Sequence, residues 1–157
     1  MSSVNIVKDL WNRHDFVFSS VPAFYAAAPA IIATIVGGPV WIKLLVEYCD
    51  TAMTNVTTTT ITVNGVAIDA GAVAINAGGI GAVVVSPLSA GAKNASALAD
   101  QWPDATGVAT QAGFGLVAGP SALGISVTFA TVMAAANRYS LHIVYTKLAP
   151  NSLIVGA

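Results

Sequence analysis

Alternating apolar and polar positions dominate this chain, and they predict strands. In Val40 to Cys49 the residues Val40, Ile42, Leu44, Val46 and Tyr48 fall on one face, while Lys43 and Glu47 fall on the other. Such a segment reads as a half-buried strand. Asn55 to Val63 carries Val56, Ile61, Val63 and five threonines, residue types that suit a pleated surface better than a helix. Asn64-Gly65 follows directly, and both central positions of a type I′ turn need positive φ, so the pair predicts a hairpin with Val66 to Ile75 returning alongside.

Short β-rich runs bounded by Gly or Pro continue the theme at Ala82 to Ser86, Phe114 to Ala118 and Leu123 to Phe129. Tyr139 to Thr146 sets Tyr139, Leu141, Ile143 and Tyr145 on one face, and Leu153 to Val155 adds a last edge. About eight strands separated by turn signals predict an all-β fold, a jelly-roll-like sandwich or barrel. Helix is expected only at Asn94 to Trp102 and within an N-terminal arm, residues 1–20, where Ile6, Leu10 and Arg13 share a face. Residues 21–157 then form a single β domain, with no linker or internal repeat.

Composition narrows the setting of that domain. The 157 residues include six Lys or Arg and seven Asp or Glu, 8% charged against 55% hydrophobic, with mean hydropathy +0.75. Soluble domains usually carry about 25% charged residues, so this chain must cover much of its surface with something other than charge. Protein or lipid has to do it. A net charge of −1 and a pI near 6.0 provide no basic field for phosphates, which excludes nucleic acid as the expected partner.

Lipid is the rival environment, because Phe16 to Ile42 and Ala105 to Asn137 are uncharged and exceed the roughly 20 residues of a membrane-spanning helix. Their Pro22, Pro29, Gly37, Gly38 and Pro39, and Gly107, Gly113, Gly115, Gly119, Pro120 and Gly124, make continuous helices unfavourable. Ala26 to Ala30 resembles a small-residue cleavage site, but Asp9 and Asp15 beside Lys8 and Arg13 leave the preceding region without the positive character of a secretory leader.

Reactive groups are few. The single cysteine, Cys49, forms no internal disulfide, and no Cys/His spacing suggests zinc. Cys49 and His142 are conceivable as thiolate and base, yet both fall in predicted strands without a third orienting group, and a structural cysteine is the expectation. Asp100 and Asp104, flanking Trp102-Pro103, read as turn or cap residues. Gly113-Phe114-Gly115 with Gly119 has the wrong spacing for a dinucleotide fingerprint. Asn55-Val56-Thr57 and Asn94-Ala95-Ser96 match the glycosylation pattern, which means little without a leader. The chain is expected to be no enzyme and to hold no cofactor or metal.

Gly37 to Tyr48, the Thr-rich strand Thr57 to Val63 with Asp69 after it, Gly124 to Val127 and Asn137 to Pro150 together resemble the capsid decoration, or cement, proteins of tailed phages. The resemblance covers Gly37 to Ala157; the long apolar lead-in and low charge depart from it. It implies a β-barrel or jelly-roll body, a homotrimer, the major capsid protein as partner and a place on the outer capsid surface after assembly in the host cytoplasm. A cement subunit gains from wide apolar contacts at roughly 25 cal/mol per Å², and Trp11, Phe16, Phe18, Phe24 and Tyr25 are the expected interface anchors. The alternatives are another virion subunit, such as a small capsid or fibre-base protein, and a membrane-associated β protein.

Overall fold

The structure is a computed structural model and describes residues 14–51, 57–68, 74–75, 83–86, 94–96 and 115–157. These form two antiparallel sheets packed face to face, and they contain no helix. The first sheet comprises β1 (Asp15–Ser19), β11 (Tyr139–Lys147), β3 (Val40–Cys49), β7 (Val83–Ser86) and β8 (Asn94–Ser96) in that order, with β9 (Leu116–Ala118) also on β3. The second runs β12 (Leu153–Gly156), β2 (Ala30–Val36), β10 (Ile125–Phe129), β4 (Thr57–Val63) and β5 (Val66–Ala67), with β6 (Ala74–Ile75) also on β4.

The order of strands is that of a jelly roll. With β5 and β6 counted as one return strand, and β8, β9 and β12 as additions, the sheets interleave as first, eighth, third, sixth and second, seventh, fourth, fifth. Successive strands therefore keep crossing between layers, and residues far apart in the chain meet in the core. The expected all-β, jelly-roll-like sandwich is what the chain forms.

Most of the expected strands are present. Tyr139, Leu141, Ile143 and Tyr145 all point into the core from β11, meeting Ile125, Val127 and Phe129 of β10 and Ile61 and Val63 of β4 among the buried residues. Asn64 and Gly65 take φ of 53° and 81°, and Val63 pairs with Val66, as a two-residue type I′ hairpin requires. Ala74 and Ile75 come back to β4 with a changed register.

Two expectations change. Asn94 to Ser96 is strand β8, laid along β7, rather than the start of a helix; the remainder of that expected helix lies outside the described residues. A three-residue edge is held by its neighbour's backbone, so tertiary pairing overrides local propensity here. Of the expected N-terminal arm, Asp15–Ser19 is an edge strand of the body, paired with β11 throughout; residues 1–13 lie outside the described residues. As its prolines and glycines imply, the uncharged stretch from Phe16 to Ile42 is not a helix but holds β1, β2 and the start of β3, and no described helix is long and apolar enough to cross a membrane.

Candidate functional site

One extra residue in β3 sets the chemistry of the core. Tyr145 pairs with Ile42 and Val144 with Leu44, so Lys43 is inserted as a bulge. Lys43 and Leu44 both lie outside, and the inward set becomes Val40 and Ile42, then Leu45, Glu47 and Cys49. The expected face holds before the bulge and inverts after it. Glu47, expected outside, is 1% exposed between the sheets.

A buried carboxylate needs donors. Thr59 of β4 donates its hydroxyl to Glu47 Oε2, and Tyr139 of β11 donates from 3.1 Å. Glu47 thus joins the two sheets through their polar side chains. Burial, the Glu47 charge and the hydrogen bond to it push the Tyr139 phenol well above its ordinary value. Tyr139 is packed in turn edge-on to Phe129 and Tyr25, at centroid distances of 5.1 and 5.6 Å, and Tyr25 stacks on Phe129 at 5.6 Å.

The reactive pair does not form. Cys49 faces the core while His142 lies on the opposite face of the sheet, aligned with Val46. Burial, with Glu47 and Asp50 adding negative charge, pushes the Cys49 thiol up to about 12. Such a thiol is inert at neutral pH.

His142 belongs to a polar chain on the outer face of the first sheet. Ser140 donates its single hydroxyl proton to Asp50 at 2.7 Å, so the His142 Nε2, 3.2 Å from the Ser140 oxygen, supplies the proton of that contact. Nδ1 lies 2.9 Å from the Ser19 hydroxyl. The chain ties β1 to β11 and to the end of β3. At the other end of β1, Asp15 takes Lys43 at 2.6 Å and the Thr146 hydroxyl at 2.7 Å. Burial opposes ionisation of Asp15, but those two donors and the Lys43 charge hold its carboxyl below the ordinary value.

Among the described residues, charge is confined to the first sheet and its strand ends. Asp15, Lys43, Glu47 and Lys147 are all in the first sheet, with Asp50 and Arg138 at its strand ends. The six strands of the second sheet hold no charged residue on either face. Its outer face is made of hydroxyls, including Thr60, Thr62, Ser126 and Thr128, and of exposed aliphatic side chains, Ile31, Val36, Leu153 and Val155. Thr62 and Ser126 bond each other across β4 and β10 at 2.6 Å.

The expected anchors divide. Phe18 and Tyr25 pack against the chain's own core. Phe16 and Phe24 remain 38% and 43% exposed, beside Val17 at 66% and Val21 at 81%. Phe16 is flanked by Tyr145 at a centroid distance of 5.8 Å and by the Lys147 ammonium at 4.3 Å. Trp11 lies outside the described residues, as do Asp69, Asp100 and Asp104. Sequence reasoning missed Val17, in β1, and Val21, just beyond it, because a single valine carries no sign of whether its segment will lie at an edge.

Among the described residues no group of three His, Cys, Asp or Glu side chains is placed to share a metal. Comparison with protein-family models, with curated proteins and with solved structures finds no match to this chain.

Proposed function

We propose that this chain is a structural virion protein, a capsid decoration or cement subunit that binds the outer capsid surface through uncharged contacts. The observation that supports the reading is the second sheet, six strands without a charged residue. Permanent interfaces are more hydrophobic than transient ones and are depleted in charge at their centres. A face of threonine, serine and aliphatic side chains matches such a setting, since hydroxyls can satisfy a partner's backbone without the cost of burying an ion. The jelly roll itself serves many functions and adds only compatibility.

A membrane-associated β protein is the second reading, because an uncharged outer surface also suits lipid. The hydroxyls argue for protein: a lipid-facing sheet presents an apolar band, whereas the outer face here interleaves Thr60, Thr62, Ser126 and Thr128. The test is the mass of the purified chain by light scattering without detergent, followed by its addition to particles lacking it. A discrete soluble oligomer that rebinds to particles supports the proposal. Solubility only in detergent supports the membrane reading, and a soluble chain that never binds particles removes the cement role.

A further inference from the structure

The exposed side chains of β1 lie on a strand whose outer edge has no partner among the described residues. Ser20 donates its N–H to the Leu141 carbonyl, one step on from the Ser19–His142 pair that ends the register. In an antiparallel ladder hydrogen-bonding direction alternates, so Phe16 and Phe18 also point their backbone groups at β11. Asp15, Val17 and Ser19 point theirs away. An edge of this kind is a template for another strand, and β1 contains no proline, glycine or lysine to block it.

We infer that β1 pairs antiparallel with β1 of a second copy of this chain, across a two-fold axis at Val17. The strand is complementary to itself in that register. Val17 meets Val17 on the outer face; Phe16 meets Phe18 twice on the core-facing side; Asp15 meets Ser19 at both ends. Residues directly opposite share a face, so the alternation of both sheets is preserved. The exposed ring of Phe16 gains an aromatic cross-strand partner. Each Asp15 faces the neutral Ser19 of the other copy, and the two carboxylates stay at opposite ends of the pair. No other antiparallel register aligns all five residues. This oligomer contact rests on the assembly reading proposed above but concerns a different face from the second sheet.

A two-fold contact joins subunits in pairs. The mass is that of two chains, or of six where trimers formed through another face are linked by it. Both are even multiples.

The test uses the full chain. Val17→Cys places a thiol beside its own copy at a Cα separation of roughly 5.5 Å, inside the roughly 4.4–6.8 Å range of disulfides. Cys49 is buried and inert, so it leaves the readout clean. Mild oxidation should convert most of the Val17→Cys chain to a covalent dimer. Val21→Cys, more exposed but roughly 27 Å from its copy at strand spacing, should remain uncrosslinked. Val17→Lys should halve the mass by light scattering with an unchanged β-type circular dichroism spectrum, and Val17→Thr should keep it. An uncrosslinked Val17→Cys chain, equal crosslinking at Val21, or an odd oligomer overturns the two-fold edge. An odd soluble oligomer that still binds particles does so while leaving the cement reading in place; a crosslinked dimer that binds no particle does the reverse.

Discussion

Glu47 and Cys49 are separated by one residue and face the same core, yet they impose different demands on it. Glu47 is held by hydroxyls from two other strands, so its truncation strands polar groups that have lost access to water. Glu47→Ala should destabilise the fold by about 1–3 kcal/mol, the cost of leaving buried hydrogen-bonding groups unsatisfied, as read from urea unfolding midpoints. Cys49 should resist alkylation by iodoacetamide at pH 8 in the native chain and react only on unfolding, which intact mass will report. The shifts also fix a pH dependence. The thiol is raised from 9.0 to about 12, and the Tyr139 phenol is raised well above 10.0. A group whose pKa is raised by folding contributes stability that is complete below its unfolded value and lost as pH rises toward the folded one. Stability should therefore fall from about pH 9 upward, because the unfolded chain releases these protons first, and denaturant midpoints measured against pH will report it.

At the scale of the element, the bulge at Lys43 and the ends of β1 set what the strands present. Asp15 titrates with the opposite sign to Cys49. Its lowered pKa means that its contribution is present above the ordinary value of 3.8 and is lost as pH falls through the folded one. Amide exchange in β1 should consequently rise below about pH 4 before exchange in β11 does, and Lys43→Ala should remove that difference. Gly115, just before β9, has φ of 95°, and a Cβ there would collide with Trp41 Nε1 and the Ile42 carbonyl. Gly115→Ala combines a strained φ with backbone overlap, so a loss of more than about 1 kcal/mol is expected from thermal unfolding.

For the whole molecule, the division of charge between the sheets is the feature with most bearing on function. Thr60 is exposed in the uncharged sheet, where its side chain points out between inward Thr59 and Ile61. Thr60→Lys should change the stability of the isolated subunit by no more than about 0.5 kcal/mol, as surface substitutions generally do. On the cement reading it should sharply reduce particle occupancy, because a lysine would enter a contact with no charge to meet it. Unchanged occupancy would mean that this face is turned to solvent in the assembly.

Local pattern determined the strands, the hairpin at Asn64-Gly65 and the core face of β11, because a period of two and a demand for positive φ are written in neighbouring residues. Composition likewise determined the poverty of charge. Only tertiary structure decided that Glu47 faces inward: the bulge at Lys43 exists through pairing with Val144 and Tyr145 of β11, far away in the chain, and inverts every side chain after it. The same holds for the sorting of the charged residues of the described strands into one sheet, since jelly-roll order, not sequence proximity, assigns each strand its layer. It also holds for β1, whose side chains are legible as apolar but whose position at an edge follows from the fact that the second neighbour of β11 is β3.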